Sequence, residues 1–135
     1  MTDQRPIRIL HIVGGMNRGG VETWLMHVLR HIDRERYQMD FLVHTLEPCA
    51  YDDEIRALGS RIIPCLRPSQ PLRYARNLRR VLRQDGPYDV VHSHVYLYSG
   101  ITLALARWCG VPTRLAHVYP LMDIREQSMA RRAYS

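Results

Sequence analysis

Four glycines fall within seven positions in "GGMNRGG" (residues 14–20), directly after the apolar run "IRILHIV" and before a helical pattern. A strand-to-helix crossover bare of side chains can bring its backbone N–H groups and the helix dipole up to an anion such as a diphosphate. A tight, closely packed turn also uses glycine, but four of them with Asn17 and Arg18 exceed what a turn requires. Histidine supplies the other candidate chemistry. His44, His94 and His117 each stand near the carboxyl end of an apolar run, and His92 lies two residues before His94, so those two share a strand face. An imidazole takes or holds a proton near neutral pH, and a neutral one donates to a sugar hydroxyl. The His92–His94 spacing also permits a metal, but no acidic or Cys ligand accompanies it in the sequence, so none is expected. "VYLYSG" adds Tyr96 and Tyr98, which either stack on sugar rings and bond phosphates or cap the sheet hydrophobically.

Known phosphate loops are excluded by spacing. A dinucleotide fingerprint needs glycines at i, i+2 and i+5; counted from Gly14 the second falls on Met16, and from Gly15 on Asn17. No acid closes the second apolar run, which ends Val43-His44-Thr45. A Walker loop fits from Gly14 to Gly19, but Gly20 and Val21 stand where Lys and Ser or Thr must be. Phosphoacceptor signalling domains need acids after the first strand and a lysine after the last, and this chain has neither.

The elements that must position these residues alternate. Strands are expected at 7–13, 38–44, 61–66, 88–94 and 113–118, and helices at 21–32, 51–59, 71–86 and 99–110. In the first helix Val21, Leu25, Val28, Leu29 and Ile32 form one stripe; in the third, Leu72, Ala75, Leu78, Val81 and Leu82 do. Pro64 argues for a strand edge or end. Strands alternating with such helices predict an α/β fold: an open, mostly parallel, Rossmann-like sheet with helices on both faces. Ligands of such sheets bind beyond the carboxyl ends of the strands, where the glycine loop, His44, His94 and His117 are expected to line one rim. "IREQSMARRAYS" (124–135) reads as a further helix with no strand after it, which predicts a single domain over residues 1–135 truncated from a longer chain.

Composition narrows the field. The 135 residues carry a net charge of +6, and all nineteen basic residues are Arg, so every mechanism that needs a lysine is ruled out. No apolar run approaches the ~18 residues of a membrane span, and the N-terminus lacks the apolar core of a secretory signal. Cys49, Cys65 and Cys109 are odd in number and widely spaced, which reads as reduced thiols in a cytoplasmic protein. Arg73, Arg76, Arg79, Arg80 and Arg83 on the third helix read first as a solvated outer face. The sharper reading is contact with an anionic membrane. No recognition motif supports nucleic acid as a partner.

"ILHIVGGMNRGGVETWLMHVL", "FLVHT", "YDVVHSHVYLYSG" and "GVPTRLAHV" resemble, in order and spacing, the N-terminal domain of retaining GT-B glycosyltransferases of family 4, of the capsule and exopolysaccharide type. The resemblance runs from about Ile7 to Val118. It implies two Rossmann-like domains facing across a cleft, with this one on the acceptor side. The partners it implies are a nucleotide-diphosphate sugar as co-substrate and a glycan or lipid-linked acceptor, with no metal and no other cofactor. By position, Gly19 and Gly20 approach the donor diphosphate, and Asn17 and Arg18 face the acceptor, with Tyr96, Tyr98 and His44 beside them. His117 matches the histidine that contacts the transferring sugar and assists catalysis, and His94 a second histidine of the cleft. Two departures stand out: "HVYPLMD" replaces the small or polar residues usual after that histidine, and the donor domain with its E-x7-E element is absent. The chain alone is therefore expected to be inactive. The alternatives are a non-catalytic subunit docking a separate donor-domain chain, and a small-molecule binding module.

Overall fold

The computed structural model describes residues 5–66, 70–95 and 99–117. The elements run β1 (Ile7–Val13), α1 (Gly20–His31), β2 (Tyr37–Val43), α2 (Asp52–Ala57), β3 (Ile62–Pro64), α3 (Pro71–Gln84), β4 (Val90–Ser93), α4 (Ser99–Trp108) and β5 (Thr113–Ala116). The five strands form one sheet in the order β3-β2-β1-β4-β5, and every pairing is parallel. This is the expected α/β Rossmann-like architecture. Pro64 closes β3 at a sheet edge, where its missing N–H breaks no ladder.

The near-continuous apolar run of β1 follows from its central place. Leu10 and Ile12 pack on one face with Leu42, Val91 and the α3–α4 side chains Tyr74, Leu78, Val81, Leu82 and Ala106. Ile9 and Val13 pack on the other with Met39, Phe41, Val43 and Leu25, Met26, Leu29 and Ile55 of α1 and α2. Each fully buried Leu or Ile contributes about 1.5–3 kcal/mol, so the two layers hold the sheet from both sides. Gly59 (φ +89°) and Gly110 (φ +82°) close α2 and α4 in the left-handed conformation that glycine adopts without strain.

The stripe expected on α3 is corrected in its first turn. Leu72 is 88% exposed, and Tyr74 takes the buried place, one turn before Leu78 and two before Val81 and Leu82. On α1 the fully buried residues are Leu25, Met26 and Leu29, while Val21, Val28 and Ile32 pack at the margin. Tyr96, Tyr98 and the segment 124–135 lie outside the described residues, as does the end of the run expected at 113–118.

The topology sets the site. The chain steps from β1 outward to β3, then returns to β4 on the other side of β1. The order reverses between β1 and β4, and the crevice beyond their carboxyl ends is where open α/β sheets take ligands.

Candidate functional site

The loop after β1 is anchored by Met16, fully buried in the α1–α2 layer. The Met16 carbonyl accepts from the Tyr51 N–H at 3.0 Å, and Asn17 Oδ1 accepts from the Ala50 N–H at 3.1 Å. Asn17 and Arg18 are exposed. Gly19 is the residue before α1 and offers no side-chain cap to the first-turn N–H groups. Atoms crowd only two of the four glycines. A Cβ on Gly15 would meet Cys49 Sγ at 3.0 Å and Thr45 Cγ2 at 3.2 Å, and one on Gly19 would meet the Glu22 carboxylate. Nothing lies within 4 Å of a Cβ on Gly14 or Gly20. Packing therefore asks for glycine at 15, whereas at 20 it does not. The Glu22 carboxylate lies over the positive end of α1. It is the free end of a flexible side chain and can swing aside for an incoming anion.

Backbone ladders carry the histidines to the rim. The His44 N–H donates to Gly14 O at 3.1 Å, the His94 N–H to Ile12 O at 2.9 Å and the His117 N–H to Ser93 O at 2.9 Å. All three thus sit one step beyond their strands, at the height of the glycine loop. Their side chains do not share a face, which corrects the single rim expected for them. His94 and His117 lie on the α1 side: their ring centroids are 5.5 Å apart, and Trp24 of α1 meets His117 edge-on at 5.9 Å. His44 shares the parity of Leu42 and turns to the α3 side, hydrogen-bonded through Nε2 to the Tyr74 hydroxyl at 3.0 Å. Burial pushes the Tyr74 phenol up to about 12 and lowers the His44 imidazole.

A residue missed from the sequence completes the α1-side group. His11, in the middle of β1, pairs in register with His92 of β4 and is 5% exposed. It stacks on Phe41 with centroids 5.6 Å apart, and its Nδ1 lies 3.1 Å from His94 Nε2, a hydrogen bond between neutral rings. His92 lies 4.1 Å from His94 and stacks on His117 at 5.9 Å. Four imidazoles thus form one patch across β1, β4 and β5. Burial, then the neighbouring His94 and His92, holds His11 well below the ordinary range. Burial, then His92 and His117, brings His94 to about 3, and burial followed by His117 lowers His92. These three rings are neutral at physiological pH and act as hydrogen-bond donors and acceptors rather than cations. Trp24 stands one helical turn from Gly20, about 6 Å along the axis. The start of α1 and the His117 ring therefore lie on the same side of the sheet, joined through Trp24.

A polar cavity of about 600 Å3 lies at the amino ends of the strands, lined by Arg8, Asp40 and Arg61 among others. Four of its charges are matched in pairs, Arg8 with Asp40 at 3.3 Å and Arg61 with Asp85 at 3.3 Å, while Arg34 donates to the Leu29 carbonyl at 2.8 Å. It lies at the opposite pole from the switch point.

Residues 19–135 match a glycosyl transferase 4-like domain. The chain is 43% identical over 112 residues to a Bacillus subtilis (strain 168) protein named glycosyltransferase EpsF, covering 82% of this chain and 29% of that protein. It is 28% identical over 123 residues to the capsular polysaccharide biosynthesis glycosyltransferase CapH of Staphylococcus aureus, covering 90% of this chain and 33% of that one. The chain thus spans about a third or less of the curated relatives it matches. Among solved structures, an O-GlcNAc transferase of Thermobaculum terrenum aligns with a TM-score of 0.58 at 21% identity, over 84% of this chain and 21% of that one. The C-terminal domain of a Pyrococcus furiosus hydrogenase aligns at 0.55 and 17%, over 87% of this chain and 96% of that domain. At such identities the likeness is one of fold.

Proposed function

The chain belongs to the glycosyl transferase 4-like family, and from that premise we propose that it forms the acceptor-side half of a retaining glycosyltransferase. The reaction moves a sugar from a nucleoside-diphosphate sugar to a glycan or lipid-linked acceptor in polysaccharide synthesis, as the names of its relatives suggest. One observation carries the reading: the start of α1, whose first turn has no side-chain cap, and the His117–His94 pair lie on the same side of the sheet at the β1/β4 switch point, joined by the Trp24–His117 contact.

The donor diphosphate approaches Gly19 and Gly20 and meets the Gly20 N–H and the positive end of α1, which oppose the charge that grows on the departing phosphate, while the Gly19 N–H already donates to the Asn17 carbonyl at 2.8 Å. The His117 imidazole bonds a hydroxyl of the transferring sugar and fixes it as the anomeric bond breaks. His94 is held by His11 and packs beside His117. Asn17 and Arg18, exposed on the same loop, face the acceptor, with Tyr96 and Tyr98 assigned there from sequence. His44, on the α3 side, supports the rim through Tyr74. No metal is required of this domain for that reaction, and the remaining positive groups come from a second domain, so the chain alone is inactive.

The lipid-linked end of an acceptor places the enzyme at a membrane surface. No helix among the described residues is long and apolar enough to cross one. α3 presents Arg73, Arg76, Arg79, Arg80 and Arg83, all exposed, with Leu72 and Trp108 each 88% exposed near that surface. Arg76, Arg79 and Arg83 line a cavity of about 370 Å3 together with Trp108, and guanidinium groups beside an aromatic ring suit an anionic lipid interface.

The test is His117→Ala in the full-length protein. Turnover should fall about a hundredfold or more, while the donor dissociation constant shifts far less, since the lost contact strengthens only as the bond breaks. Near-normal turnover would remove His117 from the mechanism.

A further inference from the structure

We propose that His11, His92 and His94 form a binding site for a divalent transition metal, zinc above all. The inference rests on geometry and stands whether or not the glycosyl-transfer reading holds. The expectation of no metal rested on the lack of a ligand near His92 and His94 in sequence. The structure supplies that ligand from β1, 83 residues before His94.

One nitrogen from each of the three rings lies within 4.8 Å of the others. The His11 Nδ1 to His94 Nε2 separation, 3.1 Å, is close to the ~3.3 Å between ligands of a tetrahedral zinc with Zn–N bonds near 2.0–2.1 Å. A modest ring rotation of His92 closes the triangle. The frame is stiff where it matters, because His11 and His92 are register partners in neighbouring parallel strands and Phe41 packs on the His11 ring.

The donor set selects the ion. Three neutral imidazoles with a fourth position left to water or His117 suit zinc, and also copper and nickel; magnesium and calcium, which require oxygen ligands, are excluded. Binding replaces the His11–His94 hydrogen bond with two metal–nitrogen bonds. The shared proton moves to the other nitrogen of its ring, and both rings stay neutral.

The test is titration of tag-free, chelator-stripped protein with Co2+ and then Zn2+, followed by visible absorption and calorimetry. The expected result is one equivalent of Co2+ with the intense bands of tetrahedral coordination, displaced by one equivalent of Zn2+. His92→Gln and His94→Gln should each weaken Zn2+ binding by at least the roughly tenfold that disturbing a ligand's orientation alone costs. Because a change in β1 can perturb folding, His11→Gln is read by the Zn2+-induced rise in Tm, which should disappear while the metal-free protein still unfolds cooperatively. The control is the exposed pair His27 and His31 on α1, whose i, i+4 spacing also chelates metals. Loss of the absorption bands in His27→Ala/His31→Ala with retention in His92→Gln would overturn the proposal, as would absence of stoichiometric binding.

Discussion

Gly20→Ala separates a glycine kept for the fold from one kept for a ligand. Gly20 is the first residue of α1, and a Cβ there meets no atom within 4 Å. The backbone accepts the methyl without strain, and the loss of chain entropy in the unfolded state should raise stability by about 0.4–1 kcal/mol. The same methyl projects into the space through which a diphosphate approaches the first-turn amides. Losing one hydrogen bond to a charged oxygen costs about 1.5–3 kcal/mol, or roughly 10- to 150-fold in affinity. The assay pairs urea unfolding with calorimetric titration of a nucleoside diphosphate into the full-length protein. Gly59→Ala gives the opposite pattern: its φ of +89° makes any side chain strained, so stability falls by about 1–2 kcal/mol while affinity holds. If Gly20→Ala lowers stability, the glycine serves the fold; if affinity is unchanged, the amides do not hold the phosphate. Either outcome refutes the reasoning.

Asp40 is buried at the opposite pole, where it accepts from the Tyr88 hydroxyl at 2.8 Å and the Arg61 N–H at 3.0 Å and pairs with Arg8 at 3.3 Å. Asp40→Ala leaves those donors unmatched and should cost about 3–5 kcal/mol in chemical unfolding with donor affinity intact, and a loss under 1 kcal/mol would show the network to be well hydrated. His44 has its pKa lowered from 6.5 by burial, so its neutral form is the folded one and stability is full above that value. As pH falls below about 6.5 the unfolded ring takes up protons first and stability declines. His44→Gln should therefore flatten the fall in urea midpoint between neutral and mildly acidic buffer, and parallel profiles would count against the shift. Vesicles containing anionic lipid should float the full-length protein, and replacing Arg73, Arg76, Arg79, Arg80 and Arg83 with Gln should abolish flotation; equal flotation on neutral vesicles would reject the membrane contact.

Local sequence determined the order and type of the nine described elements, because apolar spacing of two or 3.6 residues and the Pro and Gly stops are short-range signals. It also determined that the glycine loop precedes a helix, and that His92 and His94 point the same way, since strand parity is local. The partners of those side chains lay beyond its reach. His11 sits among apolar neighbours and reads as core until β1 is known to lie beside β4, a pairing fixed by packing across some eighty residues of chain. His44 has the terminal placement of His94 and His117, yet opposite parity relative to the helices sends its ring to Tyr74 and α3. Leu72 fits the helical period but stands in the first turn, ahead of the contact with the sheet, so it remains in solvent. Periodicity assigns each residue a side of its own element; the order in which strands assemble decides which sides meet, and that order is where the four-histidine patch arises.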